Sequence, residues 1–247
     1  MTSNHTLAEW LHTTQGKYLL EREQALIDRV VVDVFGFHAM QMGLPEFDLL
    51  RASRIPLRVV AGNEPGAQVR ACVDELPFDS NSIDLVLLPH VLEFNNNPHQ
   101  ILREVERIMM PEGQVIITGF NPRSLWGLRQ KLGPKAEYPW NGKFINLPRM
   151  KDWLALLGLE VVGGRFACYA PPLSHSGWLG RMSLMEPSGD HWWAVCGGVY
   201  FLHAIKRVPG VRPLKPQWNG RLVGTLLPVR PKLNGDISQR TKTDTER

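Results

Sequence analysis

An α/β fold with a mostly parallel central sheet and helices on both faces is predicted by three features of the chain. Ile83 to Leu88 is apolar at every position except Asp84, as a strand buried on both sides of a parallel sheet should be. Asn97-Pro98 then provides a cap and a first-turn proline for a helix whose Ile101, Leu102, Val105, Ile108 and Met109 fall on one face. Pro111-Glu112-Gly113 stops that helix before a second apolar strand, Gln114 to Thr118. Strand, helix and strand at this spacing form a βαβ unit.

The other elements follow in chain order. Leu7, Trp10 and Leu11, at i, i+3 and i+4, predict a short N-terminal helix, and a second helix is expected from Tyr18 to Asp28 with Gly16 separating the two. The β-branched run Val30 to Val34 reads as the first buried strand, followed by a turn at Phe35-Gly36-Phe37-His38. Leu57 to Ala61 is the second strand, closed by Gly62-Asn63-Glu64-Pro65-Gly66, and Gln68 to Val73 is the third. The turn Pro65-Gly66-Ala67 leaves no room between them for an ordinary helix. Met150, Trp153, Leu154 and Leu157 predict a late helix stopped by Gly158, and Leu159 to Val162 and Val199 to Lys206 are the last strands. We find no internal repeat. The organisation is one domain over residues 1–207, led by a helical segment at 1–29, with a basic Pro- and Gly-containing tail at 208–247 that has no core of its own.

Composition narrows the function class. With 43% hydrophobic and 21% charged residues, the 247-residue chain falls in the soluble globular range and suits one core with extensions. No apolar run approaches the roughly 18 residues of a membrane helix, so no membrane span is expected. The start, MTSNHTLAEWLHTTQGK, lacks the basic and apolar regions of a signal peptide. Three scattered cysteines, Cys72, Cys168 and Cys196, argue against a disulfide framework or a zinc site and fit a cytoplasmic location, and no histidine pairs with a carboxylate at metal-ligand spacing. The net charge of +4 is uneven: from Lys206 onward there are ten Lys or Arg and three Asp or Glu, so the body is net negative. A basic tail of this size reads as solubilising, and nucleic acid is not the expected partner.

The run Asp74-Glu75-Leu76-Pro77-Phe78-Asp79…Ser82-Ile83-Asp84-Leu85-Val86, followed by Arg103-Glu104-Val105…Arg107-Ile108-Met109-x-Pro111-Glu112-Gly113, carries a family likeness. It resembles the type-11 group of class I S-adenosylmethionine (SAM)-dependent methyltransferases. Asn146-Leu147-Pro148-Arg149-Met150-x-x-Trp153-Leu154…Gly158-Leu159-x-Val161 is similar to that family's late helix and sixth strand, and Gly198-Val199-Tyr200…Ala204-Ile205-Lys206-Arg207 to its last. The likeness spans about residues 16 to 207, and the local run LPHVLEF…PHQ resembles a bacterial branch of the family. It implies a Rossmann-like methyltransferase fold and SAM as cofactor; it brings no acceptor with it, and a small molecule is the expected one.

The resemblance also assigns residues. Ligands of such sheets lie beyond the carboxyl ends of the strands. Val73 and Leu76 are expected to form an adenine slot, with Asp74 or the backbone around it bonding the adenine amine, Glu64 or, less strongly, Asn63 the ribose hydroxyls, and Pro89 forming part of the crevice lip. The family's D-x-G-x-G-x-G loop is matched to Asp33-Val34-Phe35-Gly36-Phe37-His38-Ala39, where Asp33 and Gly36 stand in place but Phe35, Phe37 and Ala39 fill glycine positions. Side chains there would obstruct or reshape the approach of the ligand. His90 is the candidate general base, set against a purely structural histidine closing a turn, and His38 is a second candidate. Aromatic residues from Phe120 to Trp126 and from Tyr169 to Trp193, with His175 and His191, are either an acceptor pocket or packing. Three functions remain open: a small-molecule methyltransferase, a non-catalytic binding or regulatory module on the same fold, and a nucleic-acid or protein modifier guided by the tail.

Overall fold

In the computed structural model, which describes residues 6–134, 138–172 and 196–207, seven strands form one sheet in the order β3-β2-β1-β4-β5-β7-β6. The strands are β1 (His38–Met42), β2 (Leu57–Gly62), β3 (Val69–Arg70), β4 (Ile83–Pro89), β5 (Met109–Phe120), β6 (Leu159–Ala167) and β7 (Val199–Lys206). The first five pair in parallel, whereas β7 lies antiparallel between β5 and β6. The chain starts at β1, moves outward to β3, and returns across β1 to β4. That reversal creates the switch point at which ligands of open sheets bind. The described residues belong to one compact unit within Met1–Val208, and the predicted tail at 208–247 lies outside them.

Among the described residues five α-helices accompany the sheet: α1 (Leu7–Leu11), α2 (Thr14–Val31), α3 (Pro98–Ile108), α4 (Leu125–Leu132) and α5 (Leu147–Leu156). Alternation along the strands divides the core between two faces. Met40 and Met42 of β1 with Val86 and Leu88 of β4 pack toward Leu102 and Val105 of α3 and Met150 and Leu154 of α5. Ala39 with Leu85 and Leu87 packs toward Leu19, Ile27 and Val31 of α2 and Trp126 of α4. Neither β1–β2 nor β2–β3 is bridged by a helix. The outer part of the sheet therefore carries turns where other strands carry helices.

The main departure from the predicted elements is at the start of the sheet. Val30 and Val31 end α2, and the first strand begins eight residues later than expected, at His38. Gly16 lies inside α2, so the separator between the helices is the cap residue Thr13, whose hydroxyl accepts from the Gly16 amide. The third strand is two residues rather than six.

Candidate functional site

A cavity of about 400 Å³ opens at the carboxyl ends of β1, β2 and β4, and Leu7, Ala8 and Glu9 of α1 form part of its wall. The loop after β1 contributes Gly43, Leu44, Pro45 and Glu46. Gly43 has φ +76 and Leu44 has φ 51, so two successive residues adopt the left-handed conformation, one without the help of a glycine. Gln41 holds this turn in place. Its buried amide nitrogen donates to the carbonyls of Gly43, Leu44 and Phe47 at 2.9–3.0 Å, and its oxygen accepts from the Leu49 amide at 3.1 Å. The side chain sits on β1 yet closes eight residues of loop onto the sheet.

Glu64, two residues past β2, is exposed and lines the same cavity. Its carboxylate lies over Gly62, where an added Cβ would fall 2.4 Å from Oε2, and faces Gly43 across the gap. Glycine at 62 is thus required for the acid to occupy that place. Val73 from the segment after β3, and Pro89 and His90 at the end of β4, add to the wall. The lining includes Glu9, Glu46 and Glu64 and neither Lys nor Arg, so its rim is acidic.

His90 is built into the floor rather than offered to a ligand. It is 1% exposed and adopts φ 53. Its Nε2 lies 2.8 Å from Glu23 Oε1 of α2, and its Nδ1 lies 3.1 Å from Glu93 Oε2, with both carboxylates buried. Burial pushes the imidazolium pKa down, but attraction and hydrogen bonds from Glu23 and Glu93 together exceed that effect and raise it to about 10. Both ring nitrogens therefore donate, and no lone pair is available to take a proton from an acceptor. The expectation of a general base at His90 is corrected to that of a buried cation. Glu93 in turn accepts from the Phe120 amide, tying the loop after β4 to the end of β5.

Three of the predicted cofactor residues, Glu64, Val73 and Pro89, meet in the cavity together with the candidate base His90, and the other five do not. Asp33, Gly36 and Phe37 lie before β1, at the end of the sheet away from the cavity, with the five-residue strand, about 16 Å, between. The Phe37 and His38 amides donate to Asp84 Oδ2 at 2.8 and 2.9 Å, and a Cβ on Gly36 would meet Asp84 at 2.4 Å. This segment ties β1 to β4. Phe35 and Phe37, each 73% exposed, cannot obstruct a site on the other end of the sheet. The position after β1 that corresponds to D-x-G-x-G-x-G is instead Gln41 to Phe47, with Gly43 as its one glycine.

His38 lies at the same far end, its Nδ1 3.0 Å from the Ser82 carbonyl, which removes it as a base for this cavity. Asp74 and Leu76 are outside the cavity lining. Leu76 is a core residue at 6% exposure, and its turn is fastened from α3: the Leu76 amide donates to Glu104, while Arg107 donates to the Leu76 and Phe78 carbonyls. Phe120 and Trp126 are also core, stacked at 6.0 Å with Trp10 edge-on to both. Residues 173–193 of the predicted aromatic pocket lie outside the described residues. Among the described residues no His, Cys, Asp or Glu cluster could hold a metal, and no helix is long and apolar enough to cross a membrane.

Residues 51–117, which run from before β2 to within β5, match the family described as methyltransferase domain. The protein YafS of Escherichia coli K12 is 33% identical over 157 residues, 62% of this chain and 65% of that one, so this chain spans just under two thirds of that relative. A SAM-dependent methyltransferase of Thermotoga maritima shares the fold with a TM-score of 0.57 at 13% identity, over 77% of this chain and 90% of that one. A second, from Archaeoglobus fulgidus, superposes with a TM-score of 0.55 at 16% identity, over 78% and 96%. The sequence match covers β2, β3, β4 and most of β5, and about three quarters of the chain shares its fold with these SAM-dependent methyltransferases.

Proposed function

We propose that the protein transfers a methyl group from SAM to a small-molecule acceptor, with the donor held in the acidic cavity at the ends of β1, β2 and β4. The observation that carries this reading is the placement of Glu64 over Gly62 and Gly43, in a cavity lined by three glutamates and neither Lys nor Arg. A carboxylate there has two oxygens to accept from a pair of ribose hydroxyls. Gly43, without a side chain, lets a ligand approach the backbone, and Val73 and Leu44 offer apolar surface to an adenine ring. The volume lies within the range of small-ligand sites. The donor set thus fits a cationic nucleoside.

When bound, SAM supplies an activated methyl: its S–CH₃ bond breaks as the acceptor's lone pair forms the new bond, the electron pair goes to sulfur, and any displaced acceptor proton passes to solvent. The chain's part is alignment and exclusion of water. Glu64 and the Gln41-braced loop orient, α1 helps enclose the cavity, and His90, with both nitrogens bonded, fixes the floor.

Titration of the folded protein with SAM by calorimetry tests the reading. Micromolar binding is expected, and Glu64→Gln should weaken it about tenfold, the effect of losing a charged hydrogen-bond acceptor. Absence of heat at millimolar SAM would point instead to a non-catalytic module on this fold.

A further inference from the structure

A second concavity adjoins the first and has the opposite charge. It encloses about 530 Å³ and shares Asn95 with the acidic cavity. Its walls come from the segments after β4 and β5 and from the approach to α5. Arg123, Lys131, Lys143 and Arg149 line it, and no Asp or Glu does. Among the described residues none of these four cations forms an ion pair. Four like charges gathered around one hollow repel each other, and an anion in the hollow relieves that repulsion.

Two further features point the same way. The N-termini of α3 and α5 both border the groove, at Pro98-His99 and at Asn146. Neither helix has a side-chain cap, since Asn97 and Asn146 make no capping bond, so the first-turn amides are not satisfied by their own caps. The lining is aromatic: the Trp153 and His99 rings meet at 3.8 Å between centroids with their planes tilted by 51°, and the Arg149 guanidinium lies 5.2 Å from the Trp153 ring. Phe144 and Ile145 extend that surface. A purely solvated basic face needs neither the hollow nor the aromatic lining.

We infer that this groove binds a small anionic molecule, one that joins a phosphate or carboxylate to an apolar or ring-bearing body, through Arg123, Lys131, Lys143 and Arg149. On the methyl-transfer reading, on which this last assignment rests, that molecule is the acceptor. The two cavities then divide the reactants by charge, with a cationic donor on the acidic side of Asn95 and an anionic acceptor on the basic side.

The test compares 1-naphthyl phosphate, 1-naphthol and inorganic phosphate as probes of the full chain, using calorimetry and tryptophan fluorescence. Naphthyl phosphate should bind about tenfold or more tightly than either of the others, since it alone engages both cations and aromatic lining. The double variant Lys143→Glu/Arg149→Glu should lose that advantage, and Lys143→Gln/Arg149→Gln, milder at these exposed positions, should lose most of it. SAM affinity should be unchanged in both. Equal binding of naphthol and naphthyl phosphate, or binding indifferent to both variants, would overturn the inference. So would a single-stranded RNA oligomer that displaces the naphthyl probe and binds more tightly, because it would assign the groove to nucleic acid. Loss of SAM binding alone would remove the acceptor role and the methyl-transfer reading while leaving the anion groove in place.

Discussion

The imidazolium of His90, held between Glu23 and Glu93, shows how little of a residue's role its own neighbours in sequence reveal. Pro89-His90 at the end of an apolar strand reads as a loop histidine near a ligand, and the placement is right. Its chemistry is set by Glu23, 67 positions earlier on α2, which no local pattern connects to it. Because the folded pKa is raised to about 10 above the ordinary 6.5, the folded state binds the proton more tightly than the unfolded chain. The resulting stability is fully present below pH 6.5 and is lost as pH rises through about 10. Urea unfolding midpoints at constant ionic strength should therefore fall between those limits, with a slope approaching but not exceeding about 1.4 kcal/mol per pH unit from this one group. His90→Gln should cost about 3 kcal/mol or more at pH 7, because two carboxylates stay buried without their cation, and should flatten the alkaline slope. A variant that keeps the wild-type slope would show that the proton resides elsewhere. Glu64 is the contrasting case. An acid just after a strand and beside two glycines is visible in the sequence, and the fold leaves it where that pattern puts it.

Elements were legible where their apolar periodicity was unbroken. Ile83–Pro89, the α3 stripe and Val199–Lys206 need only local sequence to be placed, and the structure returns all three within a residue or so. The beginning of the sheet was misread for two physical reasons. In α2, Leu19, Ile27 and Val31 lie on one buried face with Glu23 between them, so the polar residue that serves His90 interrupts the stripe that would have carried the helix through Val30-Val31. In β1 the sequence His-Ala-Met-Gln-Met lacks β-branched residues, and the strand is stabilised by parallel partners on both sides rather than by propensity. The eight-residue difference also shifts the loop that follows β1 to Gln41–Phe47, which contains one glycine and is held by a side-chain clamp. Gln41→Leu keeps the volume roughly constant and removes that clamp. It leaves the Leu49 amide and three loop carbonyls without their side-chain partner, a loss of about 1–3 kcal/mol. The expected result is faster hydrogen exchange at the Leu49 amide and about tenfold weaker SAM binding, with α3 and β7 amides unaffected at the local-opening level. Unchanged protection at Leu49 would mean that the loop is held by its backbone alone.

At the scale of the molecule, the sheet order places an acidic cavity and a basic groove side by side, and net charge says nothing of either. The chain's +4 comes from its far end, whereas the cavity's character depends on Glu9, Glu46 and Glu64 being brought together from α1, the loop after β1 and the end of β2. Those three residues are separated by up to 55 positions, and only the return of the chain from β3 to β4, with α1 forming part of the wall, puts them around one space. The nearest buried cation, His90, is offset by its own two carboxylates and does not neutralise the rim. This distribution leads to a prediction about ligands that differ by one charge. SAM has a sulfonium and an ammonium against one carboxylate, so its net charge is +1, while its product S-adenosylhomocysteine has lost the sulfonium and is neutral overall. The remaining contacts, to ribose, adenine and the methionine moiety, are common to both, so the difference in affinity isolates the field of the cavity. In a partly exposed site that field is worth about 1 kcal/mol, or about fivefold in favour of SAM at low salt. Raising ionic strength should narrow the ratio, because the Debye length then falls to the width of the cavity, and Glu64→Gln should narrow it further at any salt. Parallel titrations of both ligands across a salt series measure the ratio directly. If S-adenosylhomocysteine binds as tightly as SAM at low salt and the ratio is flat with ionic strength, the acidic rim does not select the charged donor, and discrimination between donor and product must come from the shape of the loop that Gln41 braces.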